Sequence, residues 1–217
     1  MSRRAPACSA SRLRPGSRDS RVAAPEWLGW VLTLAFLGIA GYSVARLVAA
    51  GRFPSGYHGC HRAVDVAHTA MAAGMAVMCS PVGGPLPMAG WQTVFVLVTG
   101  WFLASWLLAG DRPPPVGWHG SDLHHAVAGL AMLYMLTAVP HSAHAMSSAW
   151  TPGPHTGQAA LPLLGWAFVA FFAVQAVRLG QVALRRSGSG LLADARVAAG
   201  CQLVMAVGSG YLIAAML

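Results

Sequence analysis

Charge is what this sequence lacks. Only 9% of its 217 residues are charged, where an average soluble domain carries about a quarter. That is too little to coat a water-exposed surface, so an ordinary soluble enzyme is excluded. With 56% hydrophobic residues and a mean hydropathy of +0.55, a disordered chain is excluded too. Lysine and asparagine are absent, and all fourteen basic residues are arginine. That bias is the codon signature of a GC-rich genome and says nothing of chemistry. Six arginines fall within the first 21 residues, so the net charge of +8 is a tail plus short loops. No basic face exists for nucleic acid. The four cysteines (Cys8, Cys60, Cys79 and Cys201) form no C-x-x-C pair and no zinc spacing. A disulfide framework is not expected. There is no phosphate-binding glycine loop, no G-x-S-x-G, no H-E-x-x-H and no carboxylate pair. Six acidic residues in all leave a hydrolase little to work with. No catalytic set emerges, and the chain reads more readily as something other than an enzyme.

What is present is a series of long apolar runs. Residues 1–25 are rich in Arg, Ser, Ala and Pro and read as a disordered tail. Residues 26–217 hold six hydrophobic stretches: Trp27 to Ala49, Ala63 to Ser80, Trp91 to Ala109, Leu123 to Val139, Leu161 to Leu184, and Ala195 to Leu217. Each is near the roughly 20 residues that cross a bilayer as a helix. Clusters at Pro81–Pro87, Pro113–Pro115 and Pro152–Pro154 separate some of them. Lipid offers no partner for backbone N–H and C=O, and the alternation of a membrane barrel is absent, so every stretch should be helical. The expected fold is all-α, an integral membrane bundle of six transmembrane helices. Trp27, Trp30, Trp91, Trp118 and Trp150 fall near helix ends, where an aromatic belt would place them. The basic start, the first apolar run and Val48-Ala49-Ala50 also resemble a cleaved signal peptide. The run from Trp27 to Ala45 exceeds the roughly 7–15 residues of a signal core, which favours a retained helix.

Arginine in the links sets the orientation. Arg46, Arg52 and Arg62 flank the first link, Arg112 the third, and Arg178, Arg185, Arg186 and Arg196 the fifth. The second and fourth links have none. The positive-inside rule places the three arginine links in the cytoplasm and both termini outside the cell membrane. The arginine-rich tail disagrees, and a misassigned start would remove the disagreement.

The informative feature is an internal repeat. D-V-A-H-T-A-M-A-A-G-M-A-V-M from Asp65 aligns with D-L-H-H-A-V-A-G-L-A-M-L-Y-M from Asp122. Asp65 matches Asp122, His68 matches His125, Met75 matches Met132 and Met78 matches Met135, with Met71 opposite Ala128. The sixth stretch opens on Asp194 but has Val197 where a histidine would sit, so a third copy is at best degenerate. At about 100° per residue, Asp65, His68, Met71, Met75 and Met78 share one helix face, an arc of roughly 140°. Ionisable residues in membrane helices face the bundle interior. The two stripes should therefore face each other in layers: the carboxylates Asp65 and Asp122 at the cytoplasmic edge, behind the ligands, then histidines, then thioethers toward the outside.

Three readings of that face stay open. Imidazole and thioether donors together suit a soft metal, above all copper(I), with His68, Met71, Met75, Met78, His125, Met132 and Met135 as its ligands. Two histidines at matched depth are also how a haem b is held across a bundle. Methionine at helical spacing is equally a core filler, which would leave a structural or partner-binding membrane protein. The fourth link holds His141, His144, Met146 and His155, an outer metal catch or a solvated loop. His58 and His61 flank Cys60 in a similar cluster. His119 and His124 read as interfacial, and Gln175 and Gln202 as interhelical hydrogen-bonding groups.

The segments V-A-H-T-A-M-A-A-G-M-A-V-M-C-S-P and D-L-H-H-A-V-A-G-L-A-M-L-Y-M resemble the signature helices of an actinobacterial domain-of-unknown-function family of small polytopic membrane proteins. The resemblance covers about residue 27 to the end. It implies a membrane protein whose shared positions include His68, Met71, Met75, Met78, His125, Met132 and Met135, and it brings no established active site with it.

Overall fold

The computed structural model describes residues 26–49, 59–109, 122–138, 150–151, 161–185 and 195–217. They form six helices: α1 (Glu26–Ala49), α2 (Gly59–Cys79), α3 (Met88–Ala109), α4 (Asp122–Thr137), α5 (Pro162–Arg185) and α6 (Ala195–Met216). Each expected stretch is a helix. Boundaries move by a few residues, most at α2, which starts four residues before Ala63. The tail and the loop residues His141, His144, Met146, His155, His58 and His119 lie outside the described residues.

Among the described residues, four helices are long and apolar enough to cross a membrane: α1, α3, α5 and α6. Large apolar side chains stand fully outward on the outer ones, with Leu108 85%, Leu163 87% and Leu184 83% exposed. Water would not tolerate so much exposed apolar surface. α4 is shorter, at 16 residues, and α2 carries Arg62, Asp65 and His68 within its length.

Packing is by hairpins. α1 lies along α2, α3 along α4 and α5 along α6. Across hairpins, α4 touches both α2 and α6, and α1 touches α6. The core therefore lies between α2, α4 and α6, with Met75, Met132, Met135 and Ala131 each at most 1% exposed. Close approach is set by small residues. A Cβ on Gly208 of α6 would lie 2.5 Å from Phe36 Cζ of α1, and one on Gly74 of α2 would lie 2.6 Å from Phe95 Cζ of α3. Each glycine is thus the seat of a phenylalanine from an outer helix.

At the end away from the arginine links, two short strands close the bundle. β1 (Gly84–Pro85) pairs antiparallel with β2 (Trp150–Thr151). Trp91 is 6% exposed, and its indole N–H donates to Pro85 O at 3.1 Å. This corrects its expected place in an aromatic belt: it braces the β1 loop. Trp27 and Trp30, 65% and 43% exposed, do fit such a belt.

Candidate functional site

Two histidines from different hairpins meet at the centre. His68 of α2 and His125 of α4 are 7% and 1% exposed. Their Nε2 atoms lie 3.3 Å apart, with the rings tilted at 45°. Phe102 of α3 stacks on His125 at 4.8 Å between centroids. The expectation that the two stripes turn inward at equal depth holds for the histidines.

A third side chain joins them. Gln202 of α6, 5% exposed, places its Nε2 3.3 Å from His68 Nε2. One imidazole nitrogen offers either a single N–H or a single lone pair. Two neighbours at hydrogen-bond distance from His68 Nε2 are more than that one atom can satisfy in full. Gln202 Oε1 is buried with no hydrogen-bond partner among the described residues.

Gln202 also corrects the reading of the third repeat. His68 and Gln202 are 134 residues apart, and so are Met75 and Ser209, whose hydroxyl donates to the Met75 sulfur at 3.4 Å. In that register Met71 corresponds to Met205 and Gly74 to Gly208. In that register α6 carries a degenerate third copy, with glutamine in the histidine position. Aligning α6 by its leading aspartate, Asp194, hid it.

Asp65 has a partner that its place in the repeat did not indicate. Asp65, 2% exposed, pairs with Arg46 of α1, Nε to Oδ2 3.3 Å, and that arginine is itself 5% exposed. The Arg46 guanidinium also lies 5.8 Å from the Tyr42 ring centroid. So Arg46 is a buried partner of Asp65 and contributes nothing to the loop charge that sets orientation. Asp122 opens α4, and its side chain lies outside the described residues.

Two cavities flank the histidine layer. One, about 10 Å³, lies toward the arginine-bearing end, among Tyr42, Ser43, Arg46, Asp65 and Cys201. The other, about 30 Å³, is walled by Met71, Met75, Met132, Met205 and His124. His68, Gln202 and Met205 border both. His124, expected at an interface, instead turns inward, its Nδ1 buried with no hydrogen-bond partner among the described residues. Met78 and Met135 are buried (7% and 0% exposed) but border neither cavity; they are packing layers beyond it.

The geometry discriminates between cofactors. Two nitrogens each about 2.0 Å from a tetrahedral metal stand about 3.3 Å apart, and the observed spacing is 3.3 Å. Axial haem ligation requires about 4 Å across the iron, with a macrocycle between the rings. The adjoining void is about 30 Å³, and the observed spacing is the shorter of the two. Among the described residues no group of three or more His, Cys, Asp or Glu side chains gathers as a metal cage. Any metal shell here draws on thioethers or the glutamine.

A family model described as a domain of unknown function, DUF5134, matches residues 60–216. The chain belongs to that family. The DUF5134 match takes in His68, His125 and Gln202 and leaves α1, with Arg46 and Phe36, ahead of it. No curated protein and no solved structure matches the chain.

Proposed function

We propose that this DUF5134 protein spans the cell membrane six times, both termini outside, and binds copper(I) at the axis of its bundle. His68 and His125 supply nitrogen, and Met71 and Met205, with Met75 and Met132 behind them, supply thioether sulfur from the adjoining cavity. The observation that carries this reading is the meeting of two imidazole nitrogens from separate helices at 3.3 Å, beside a void lined by thioethers. Soft sulfur with imidazole selects copper(I) over harder ions. That α2, at 21 residues, is less apolar than the other helices and that α4, at 16, is shorter than they are is compatible with six spans. They are the helices whose polar faces look at each other, so lipid sees little of them.

The test is metal analysis of the purified full chain after anaerobic copper(I) loading. The wild type is expected to retain about one copper per chain, and His68→Ala/His125→Ala to lose it while keeping its helical circular dichroism. Retention unchanged in the double variant, or none in the wild type, would overturn the proposal. Absence of copper in both, with the double variant folded normally, would leave the His/Met face as packing for a structural or partner-binding protein. A Soret band in the purified wild type would point to haem instead.

A further inference from the structure

The histidine layer lies between two chambers of opposite chemistry. On one side stand Tyr42, Ser43 and the Arg46–Asp65 pair. On the other stand four methionines. Arg46 is in the last turn of α1, and Ala198, which borders the polar chamber, is in the first turn of α6. The polar chamber therefore adjoins the arginine-bearing end. Met75, Met132 and Ser209 sit seven residues along their helices from His68, His125 and Gln202, about 10 Å toward the other end at 1.5 Å per residue. The chambers are stacked along the axis, and the same three side chains, His68, Gln202 and Met205, form the wall between them.

A site built only to hold an ion needs one chamber. Two, sharing a wall that includes the proposed ligands His68 and Met205, are what a permeating ion would meet in succession. We propose that the His68 layer is the midpoint of a path for a soft monovalent cation, closed on the arginine-bearing side by the Arg46–Asp65 ion pair. This rests on the copper(I) reading and adds passage to binding. In the structure the guanidinium opposes entry of a cation into the polar chamber. A cation seated at His68 repels Arg46 and attracts the Asp65 carboxylate, and at low dielectric both effects are strong over a few ångströms. Occupancy therefore weakens the pair and releases the carboxylate to receive the ion. No bond is made or broken and no electron moves. The transfer carries one positive charge across the bilayer.

The experiment uses the full chain in proteoliposomes with silver(I), which shares the ligand preference and cannot be oxidised under these conditions. Potassium and valinomycin clamp the potential, and silver(I) uptake is followed by an internal indicator. Wild-type protein is expected to move silver(I) at least tenfold faster than protein-free liposomes. Ala198→Phe fills the polar chamber without replacing a proposed ligand and should bring uptake to background, while silver(I) binding in detergent is unchanged. Ser43→Val narrows the same chamber from α1 and serves if the bulkier variant misfolds. Wild-type binding with uptake at background would overturn the path and leave the binding site standing. Uptake undiminished in both chamber variants would also overturn it. No silver(I) binding at all would sink the copper(I) reading together with the path.

Discussion

Helices α2 and α4 differ from α1, α3 and α5 in what surrounds them. In α3 only 17% of the spanning window is buried, and in α5 only 22%; Leu97, Trp101 and Trp106 of α3 and Leu163 and Trp166 of α5 face outward. α2 and α4 instead turn His68, His125 and most of their methionines toward each other and toward α6. A residue facing protein can be polar if it is paired, whereas one facing lipid cannot. Hydropathy is therefore a measure of how much lipid a helix meets. It falls off most at α2, which carries Arg62, Asp65 and His68. α6 belongs to the inner set yet stays apolar, because it offers inward mainly Gln202 and Ser209 while Val204 and Val207 face out.

The sharpest break in that contrast should come at Asp65. Its carboxylate and the Arg46 guanidinium are both in the interior. Asp65→Ala strands a buried cation, at a cost of about 3–5 kcal/mol. Arg46→Met/Asp65→Leu removes both charges and should recover most of the loss. Unfolding midpoints in detergent measure both variants. A loss below about 1 kcal/mol for Asp65→Ala would mean that water reaches the pair and that the inner helices are less dry than the contrast requires.

How far these features were legible differs by element. The six helices follow from apolar runs and proline punctuation, because bilayer thickness sets a length that local sequence can report. The meeting of His68 and His125 was accessible because identical residue types recur at a spacing of 57. Gln202 was hidden because its copy of the repeat keeps the position and changes the residue. Register there shows only through Met205, Gly208 and the contact of Ser209 with Met75. The partnership of Arg46 was invisible for another reason. An arginine at a helix end ordinarily marks a cytoplasmic link, and only tertiary packing turns this one inward.

A second, smaller effect compares glycines of the two regions. Gly208→Ala pushes a methyl to within 2.5 Å of Phe36 Cζ and 3.1 Å of Met75 Cε. Overpacking of this kind costs about 1–3 kcal/mol. Gly38→Ala on α1 meets nothing within 4 Å and should be neutral or gain up to about 1 kcal/mol from helix propensity. Equal effects at the two positions would show that the aromatic seat on α6 is looser than the geometry indicates.

The smallest expected effect separates packing from ligation at the thioethers. Ser209 donates its hydroxyl hydrogen to Met75 Sδ at 3.4 Å, occupying one sulfur lone pair beside the larger cavity. Sulfur is a weak acceptor, so Ser209→Ala should change stability by less than about 1 kcal/mol. If Met75 stands behind the nearer thioethers as a soft donor, freeing its sulfur should raise copper(I) affinity about twofold, about 0.4 kcal/mol at the tenfold-per-1.4 kcal/mol conversion. A competitive titration against a copper(I) chelator resolves a change of that size. A fall in affinity would instead assign a binding role to the hydroxyl itself and move Met75 from the ligand side of the comparison to the packing side, with Met78 and Met135.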